Sequence, residues 1–222
     1  RVNAGLLIEQ TANNYILYSE QFNTTWSAQA TTVSPNSLTS PDGAVTADTI
    51  FDDSSTGGHY VEQNPITIPA NQVWTYSTYV KPNGRRYIRF VVRDTTVANG
   101  FSAGFDLNSA NTVARANYGG GAYISSSMVP AANGWWRCIV TGTIDTASTQ
   151  ARVGLYMEDV YGTLAYTGNT SLGVFLWGSQ LETGYFASSY IPTTNAMVTR
   201  AADTTSSATA TRVYDTCLLY TS

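Results

Sequence analysis

The chain is poor in histidine, cysteine and charge: His59 stands alone, there are two cysteines, and Lys, Arg, Asp and Glu together make up 12% of 222 residues. Each shortage removes a class of chemistry. His59 lies in Gly57-Gly58-His59-Tyr60-Val61 with no Gly-x-Ser-x-Gly elbow anywhere, so a nucleophile-histidine relay has no recognisable partner; the residue is expected to cap a strand from a loop. Cys138 and Cys217 are too few for a zinc site or a disulfide framework, and Cys138, inside a strand-like run, is expected to be a small core residue. No apolar run approaches the roughly 20 residues of a membrane-spanning helix, and no basic-then-apolar start marks a signal peptide. A net charge of −4 and a pI near 4.8 argue against a broad basic surface, so neither nucleic acid nor membrane insertion is expected. Gly119-Gly120-Gly121 is followed by neither Lys nor a helix and does not read as a phosphate cradle.

What the chain has in quantity is aromatic residues, 12% of the total with 15 tyrosines, set among Gly, Ser, Thr and Asn. That balance fits an extracellular or virion β-protein whose outer faces carry hydroxyls and amides in place of Lys and Glu. At this length one large domain buries roughly 70% of its unfolded surface. No apolar period of 3.6 is sustained, so no helix beyond a turn or two is expected. The central stretch is Val73 to Asp94, two β-rich runs joined at Pro82-Asn83-Gly84 and read as a hairpin. Its period of two puts Trp74, Tyr76, Thr78 and Val80 on one face and Tyr79 and Lys81 on the other; Ile88, Phe90 and Val92 then oppose Tyr87, Arg89 and Arg93.

Further strands are expected at Tyr15 to Phe22, Val45 to Phe51, Phe101 to Leu107, Val113 to Asn117, Tyr123 to Met128, Trp135 to Ile144, Ala151 to Met157 and Leu172 to Glu182; Gly5 to Ile8 is a short apolar run, and His59 to Gln63 and Ile66 to Ile68 lead into the central stretch. Loops are expected around Pro35, at Pro41-Asp42-Gly43 and from Asp52 to Gly58. The fold class is therefore all-β, a two-sheet antiparallel sandwich with jelly-roll topology the favoured arrangement. The domain is placed at residues 1–192 and a polar linker or tail at 193–222. Both ends look cut, and Cys217 to Ser222 resembles one translated frame of a sequencing adaptor, so these last residues are expected to be non-native.

Carboxylates are the remaining route to catalysis, since glycoside hydrolysis needs only two of them flanking a groove. The candidates are Glu158 with Asp159, Asp52 with Asp53, and Glu20, Glu62 and Glu182, but carboxylates of such a protein are usually solvated or bonded to turns, and no enzyme is expected. The oxygen-rich loops Pro41 to Phe51 and Asp52 to Gly58 have the ligand type a structural calcium would need.

Several motifs occur in order: Tyr15-Ile-Leu-Tyr-Ser-Glu-Gln-Phe with Trp26, Pro41-Asp-Gly, Tyr76-Ser-Thr-Tyr-Val-Lys81, Asn133-Gly-Trp-Trp-Arg-Cys138, Phe175-Leu-Trp-Gly-Ser-Gln-Leu-Glu182, Ser189-Tyr-Ile-Pro-Thr-Thr194 and Val198-Thr-Arg-Ala-Ala-Asp203. Over residues 5–203 the series resembles a repeated domain of bacteriophage tail-fibre, head-fibre and other virion surface proteins. That domain is similar to the jelly-roll carbohydrate-binding modules that accompany polysaccharide hydrolases. The resemblance implies an aromatic sheet face that binds a glycan, an extracellular or virion-surface location, and a calcium ion on the opposite side. Where those modules carry acidic residues in the last strand, this chain reads Trp177-Gly178-Ser179, which weakens the implied calcium site.

Gathering the non-core faces gives Tyr79, Lys81, Tyr87, Arg89, Trp135, Arg137, Tyr156 and Trp177, with Phe175 beside them. If their strands share one sheet they form a strip of rings and cationic donors, suited to the C–H faces and hydroxyls of a polysaccharide or cell-surface glycan. The other face of such residues is structural, because Trp135 and Trp177 also suit a minor core under a loop. The rival function is an assembly domain that packs against neighbouring fibre subunits and binds no sugar.

Overall fold

Alternating side chains close one dry core between two antiparallel sheets, as the period of two requires. The computed structural model describes residues 8–204. In chain order the strands are β1 (Ala12–Asn14), β2 (Ser27–Gln29), β3 (Thr31–Leu38), β4 (Ala47–Asp52), β5 (Thr56–Thr67), β6 (Val73–Asn83), β7 (Tyr87–Asp94) and β8 (Gly100–Asp106). There follow β9 (Asn111–Tyr118), β10 (Ala122–Ala131), β11 (Trp135–Thr143), β12 (Gln150–Glu158), β13 (Ala165–Thr167), β14 (Gly173–Thr183) and β15 (Val198–Arg200). One sheet has the order β10-β11-β6-β14-β4-β3; the other has β13-β5-β12-β7-β8-β9, with β2 also on β5. The expected all-β jelly-roll sandwich is the observed class, and the only helical element among the described residues is a 3-10 turn at Ala132–Gly134.

The core faces fall where alternation puts them. Trp74, Tyr76, Val80, Cys138, Val140 and Leu176 from one sheet meet Val61, Phe90, Val92, Phe101, Leu155 and Met157 from the other. The Tyr76 and Phe90 ring centroids lie 4.9 Å apart across the interface. That contact corrects the hairpin: β6 and β7 belong to different sheets, and Pro82 to Arg86 is an arch over the edge of the sandwich. Each run has a single apolar face, and the arch turns those two faces toward one another. Gly84, at φ +89°, and Arg85, whose N–H donates to the Gly173 carbonyl at 3.1 Å, fix the crossing.

Other expectations fail for equally local reasons. The segment around Pro35 is the edge strand β3, where a missing N–H costs no ladder bond and a register shift between Ser34 and Leu38 absorbs the irregularity. Tyr15 to Phe22 is not a strand. It folds over one end of the core with Ile16 and Phe22 buried, its backbone held by Leu181, Gln63, Thr193 and Thr194. His59 is no loop residue either, for it points inward from β5 with its ring stacked 4.3 Å from Tyr166.

The linker expected from Thr193 is tied to the body as far as Asp203. The Thr193 hydroxyl donates to the Ile16 carbonyl at 2.6 Å, β15 pairs with β1, and the Asp203 N–H donates to the Glu9 carbonyl. The adaptor-like residues 217–222 and most of the apolar run at Gly5 to Ile8 lie outside the described residues.

Candidate functional site

The two sheets divide the predicted strip. Tyr79 and Lys81 stand on β6, Trp135 and Arg137 on β11, and Phe175 and Trp177 on β14, all in the six-stranded sheet; Tyr87 and Arg89 stand on β7 and Tyr156 on β12, in the other. The condition that all five strands share one sheet is not met.

On the six-stranded sheet the outward rings are covered by the protein's own chain. Trp135 and Trp177 are 1% and 5% exposed and form a minor core with Ala47, to which Leu38, Tyr79, Phe175 and Tyr190 add their side chains. Trp135 donates from Nε1 to the Thr39 carbonyl at 3.2 Å, and Trp177 from Nε1 to Thr46 Oγ1 at 3.0 Å. Arg137 donates to the Ser188 carbonyl at 2.7 Å and to Ser77 Oγ at 3.0 Å. Tyr190 lies over Trp177 at 4.7 Å and shares a 2.6 Å hydrogen bond with Ser19; burial pushes its phenol well above the ordinary value. Lys81 is engaged by the Asn133 carbonyl at 2.9 Å. These residues hold loops 39–46 and 185–192 down and offer no trough.

Trp177→Phe is therefore expected to lower stability by about 1 kcal/mol through the lost bond to Thr46, read as a shifted urea midpoint. Ligand binding should be unchanged.

The seven-stranded sheet is arranged differently. Its outward grid is set by register: Tyr60 opposite Tyr156 opposite Arg89, Glu62 opposite Gly154 opposite Val91, and Arg152 opposite Arg93. Tyr60 and Tyr156 stack at 4.3 Å and 27°, and Gly154 leaves room for the Tyr156 ring, whose Cε2 would lie 2.8 Å from a Cβ there. The guanidinium of Arg93 sits 3.4 Å from the Tyr118 ring centroid, and the Tyr118 hydroxyl bonds Ser102 Oγ at 3.1 Å. Arg89 donates from Nε to Glu158 at 2.7 Å, Arg152 pairs with Glu62, and Tyr87 lies under Arg86 and 6.2 Å from Tyr161.

Tyr60, Tyr87, Tyr118 and Tyr156 are half-buried, over a floor of Gly104, Ser102, Gly154 and Val91. Arg89 and Arg152 bond carboxylates of the same face, and Arg93 bonds only the adjoining turn at the Val97 carbonyl. On the other sheet Arg137 bonds a covering segment. Burial, with the nearby Glu62 charge, pushes the Tyr156 phenol up to about 12. Burial also raises the Tyr118 phenol, but its bond to Ser102 and the charge of Arg93 outweigh this and hold it below the ordinary value.

Sequence reasoning thus placed Tyr87, Arg89 and Tyr156 on the open face and left out Tyr60, Tyr118, Arg93 and Arg152. Arg93 and Arg152 had the right parity; Tyr118 and Tyr60 could be reached only by extending alternation into β9 and β5.

The carboxylates considered for catalysis are engaged in structure. Glu158 and Glu62 are ion-paired, and Asp52 is fully buried against Arg85, Tyr166 and Asn169. Asp53 accepts from Ser55, while Asp48 accepts the N–H groups of Phe22 and Asn36 at 2.8 and 2.9 Å. Among the described residues no group of three or more His, Cys, Asp or Glu side chains is arranged to hold a metal ion.

One ion pair at the rim makes stability pH-dependent. The Arg86 guanidinium beside Asp106 holds that carboxyl far below the usual range, against the opposing effect of burial. A depressed carboxylate stabilises the fold above its unfolded value, near 3.9, and that contribution is lost as the pH falls toward the folded value. Asp106→Asn is expected to flatten the fall in urea midpoint between about pH 5 and pH 2.

No family model matches the chain, and no curated protein matches it. Solved structures similar to it include carbohydrate-binding modules and a putative sugar-binding protein. TmCBM61, solved in complex with β-1,4-galactotriose, is 11% identical with a TM-score of 0.43 and covers 77% of this chain and 99% of its own. A putative sugar-binding protein from Bacteroides thetaiotaomicron is 10% identical with a TM-score of 0.44 over 77% of this chain and 100% of its own. The CBM22-1 xylan-binding domain of Paenibacillus barcinonensis Xyn10C is 12% identical with a TM-score of 0.43 over 82% and 100%. Nothing in these likenesses points to a phage tail fibre. Among the described residues no helix is long and apolar enough to cross a membrane.

Proposed function

We propose that the chain is a non-catalytic carbohydrate-binding module whose platform is the outward face of the seven-stranded sheet. The observation that carries this reading is the grid of Tyr60, Tyr156, Tyr118 and Tyr87 interleaved with Arg89, Arg93 and Arg152, held by bonds within its own face, by the adjoining turn at Val97 and, at one end, by the Gly162 N–H that donates to Glu158. Pyranose C–H faces lie against half-exposed rings, while guanidinium N–H groups and tyrosine hydroxyls bond the equatorial oxygens. A shallow shelf of this kind supports affinities of about −4 to −8 kcal/mol, millimolar to micromolar, which display on a multimeric particle would raise by avidity.

A place on a virion surface, binding a host glycan, is supported by the ordered sequence motifs alone. Affinity electrophoresis through gels containing galactan, xylan, β-glucan and acidic polysaccharides tests the reading. Retardation in at least one gel is the expected result, and uniform mobility in all of them contradicts it.

The assembly reading draws on a separate feature, the loop after β14, where Phe186 is 85% and Tyr185 58% exposed. An oligomer in analytical ultracentrifugation that dissociates in Phe186→Ser is the outcome that would favour it.

A further inference from the structure

The open face is unbalanced in charge, and the imbalance sits at one place. Four arginines, Arg86, Arg89, Arg93 and Arg152, lie on or beside it, with three carboxylates, Asp106, Glu158 and Glu62, each paired with one of the first, second and last. Arg93 is left over. Among the described residues it has no ion-pair partner; its one hydrogen bond runs from Nη1 to the Val97 carbonyl at a long 3.3 Å, and its Nε is buried with no partner at all. Register places it directly opposite Arg152, a like-charge pair in a position where such pairs oppose sheet formation. Stacking on the Tyr118 ring holds the guanidinium flat without neutralising it, and leaves Nη2 as the nitrogen that is neither buried nor bonded. All this occurs on a protein whose overall charge is −4, so the excess is a local feature and no part of a general basic surface.

We propose that the glycan recognised by this face is acidic, and that Arg93, stacked on Tyr118, receives the carboxylate of a hexuronate residue while the neighbouring pyranose ring lies against the Tyr60–Tyr156 pair. A planar carboxylate matches the two parallel N–H groups of a guanidinium, and a carboxylate there would also relieve the repulsion between Arg93 and Arg152. The inference rests on the carbohydrate-binding reading given above, and the two fail in different ways.

The test uses polygalacturonate, alginate and hyaluronan, each beside its carboxyl-methyl-esterified form, in titration calorimetry with the full chain. At least one acid form is expected to bind roughly tenfold or more tightly than its ester, the value of a charge-assisted bidentate contact. Arg93→Gln is expected to abolish that ratio by weakening the acid form more than the ester; Arg93→Lys, which keeps the charge without the fork, should retain part of it, and thermal melts confirm that both variants fold. Equal affinity for acid and ester, or a ratio untouched in Arg93→Gln, overturns the acidic-glycan inference alone. Absence of binding to either form of all three, together with uniform mobility in the neutral gels, overturns the carbohydrate reading with it.

Discussion

Tyr60→Ala with Tyr156→Ala is expected to weaken glycan binding by roughly 30-fold or more, the loss of at least 2 kcal/mol found when central aromatic anchors are truncated. The two rings face one another across β5 and β12 at 4.3 Å, so together they present a rigid surface whose ordering cost is met in the fold, before any sugar arrives. Removing one ring leaves the other half-supported and mobile, and the double variant should therefore lose more than a single ring's contact area predicts. Stability should fall by only about 1 kcal/mol, because the pair lies outside the main core and contributes chiefly its stacking. Calorimetric titration alongside urea unfolding separates the two effects. A variant that binds as well as the parent would remove this face from the account.

The largest loss of stability is expected from Arg85→Met, about 3–5 kcal/mol. Arg85 is 3% exposed in the arch between β6 and β7, and donates from Nε to Asp52 at 3.0 Å and from its terminal nitrogens to Asp52 and Asp159. Its guanidinium also sits 4.4 Å from the Tyr166 ring centroid, while the Tyr166 hydroxyl and the Asn169 N–H donate to the same Asp52 carboxylate at 3.0 and 3.2 Å. One side chain thereby ties β4, the arch, the β12–β13 connection and β13 together. Methionine fills much of the volume but leaves Asp52 fully buried without its counter-charge, which is the costly way to break such a pair. At this chain length the change corresponds to a melting temperature lower by about 6–20 °C. Asp52→Asn with Arg85→Met, which removes both charges, should recover a substantial part of the loss, and the two single variants should be strongly non-additive.

Alternation made the core legible. Trp74, Tyr76, Thr78 and Val80 are buried on one side of β6, and Val153, Leu155 and Met157 on one side of β12, as a period of two demands. Parity, however, says which side a residue faces and nothing about which sheet its strand joins. Tyr79 and Tyr87 read as equivalent non-core tyrosines, yet they stand on opposite outer surfaces of the sandwich, because the Pro82 to Arg86 arch is set by the buried Arg85, whose acidic partners are the buried Asp52 and the half-exposed Asp159. Coverage is equally invisible locally. Trp177 and Tyr156 have similar neighbours in sequence, but only Trp177 lies beneath Tyr190, and that contact joins residues from a strand and a chain-terminal segment. Composition misled at β3, where Thr, Ser, Pro and Asn suggested a loop although they suit an edge strand with few ladder bonds. Charge pairing between strands was beyond the sequence altogether, and so the unpaired state of Arg93 emerged only once Arg152, Glu62, Arg89 and Glu158 had been placed.

The most direct measurement is chemical-shift mapping of the labelled protein titrated with the oligosaccharide of whichever polysaccharide retards it. Perturbations should gather on the ring and amide signals of Tyr60, Tyr87, Tyr118 and Tyr156 and on the side-chain N–H groups of Arg89 and Arg93, with Trp135 and Trp177 indole signals unmoved. Perturbations centred on those two indoles and on residues 185–192, with the tyrosine face silent, would contradict the placement of the binding platform on the seven-stranded sheet.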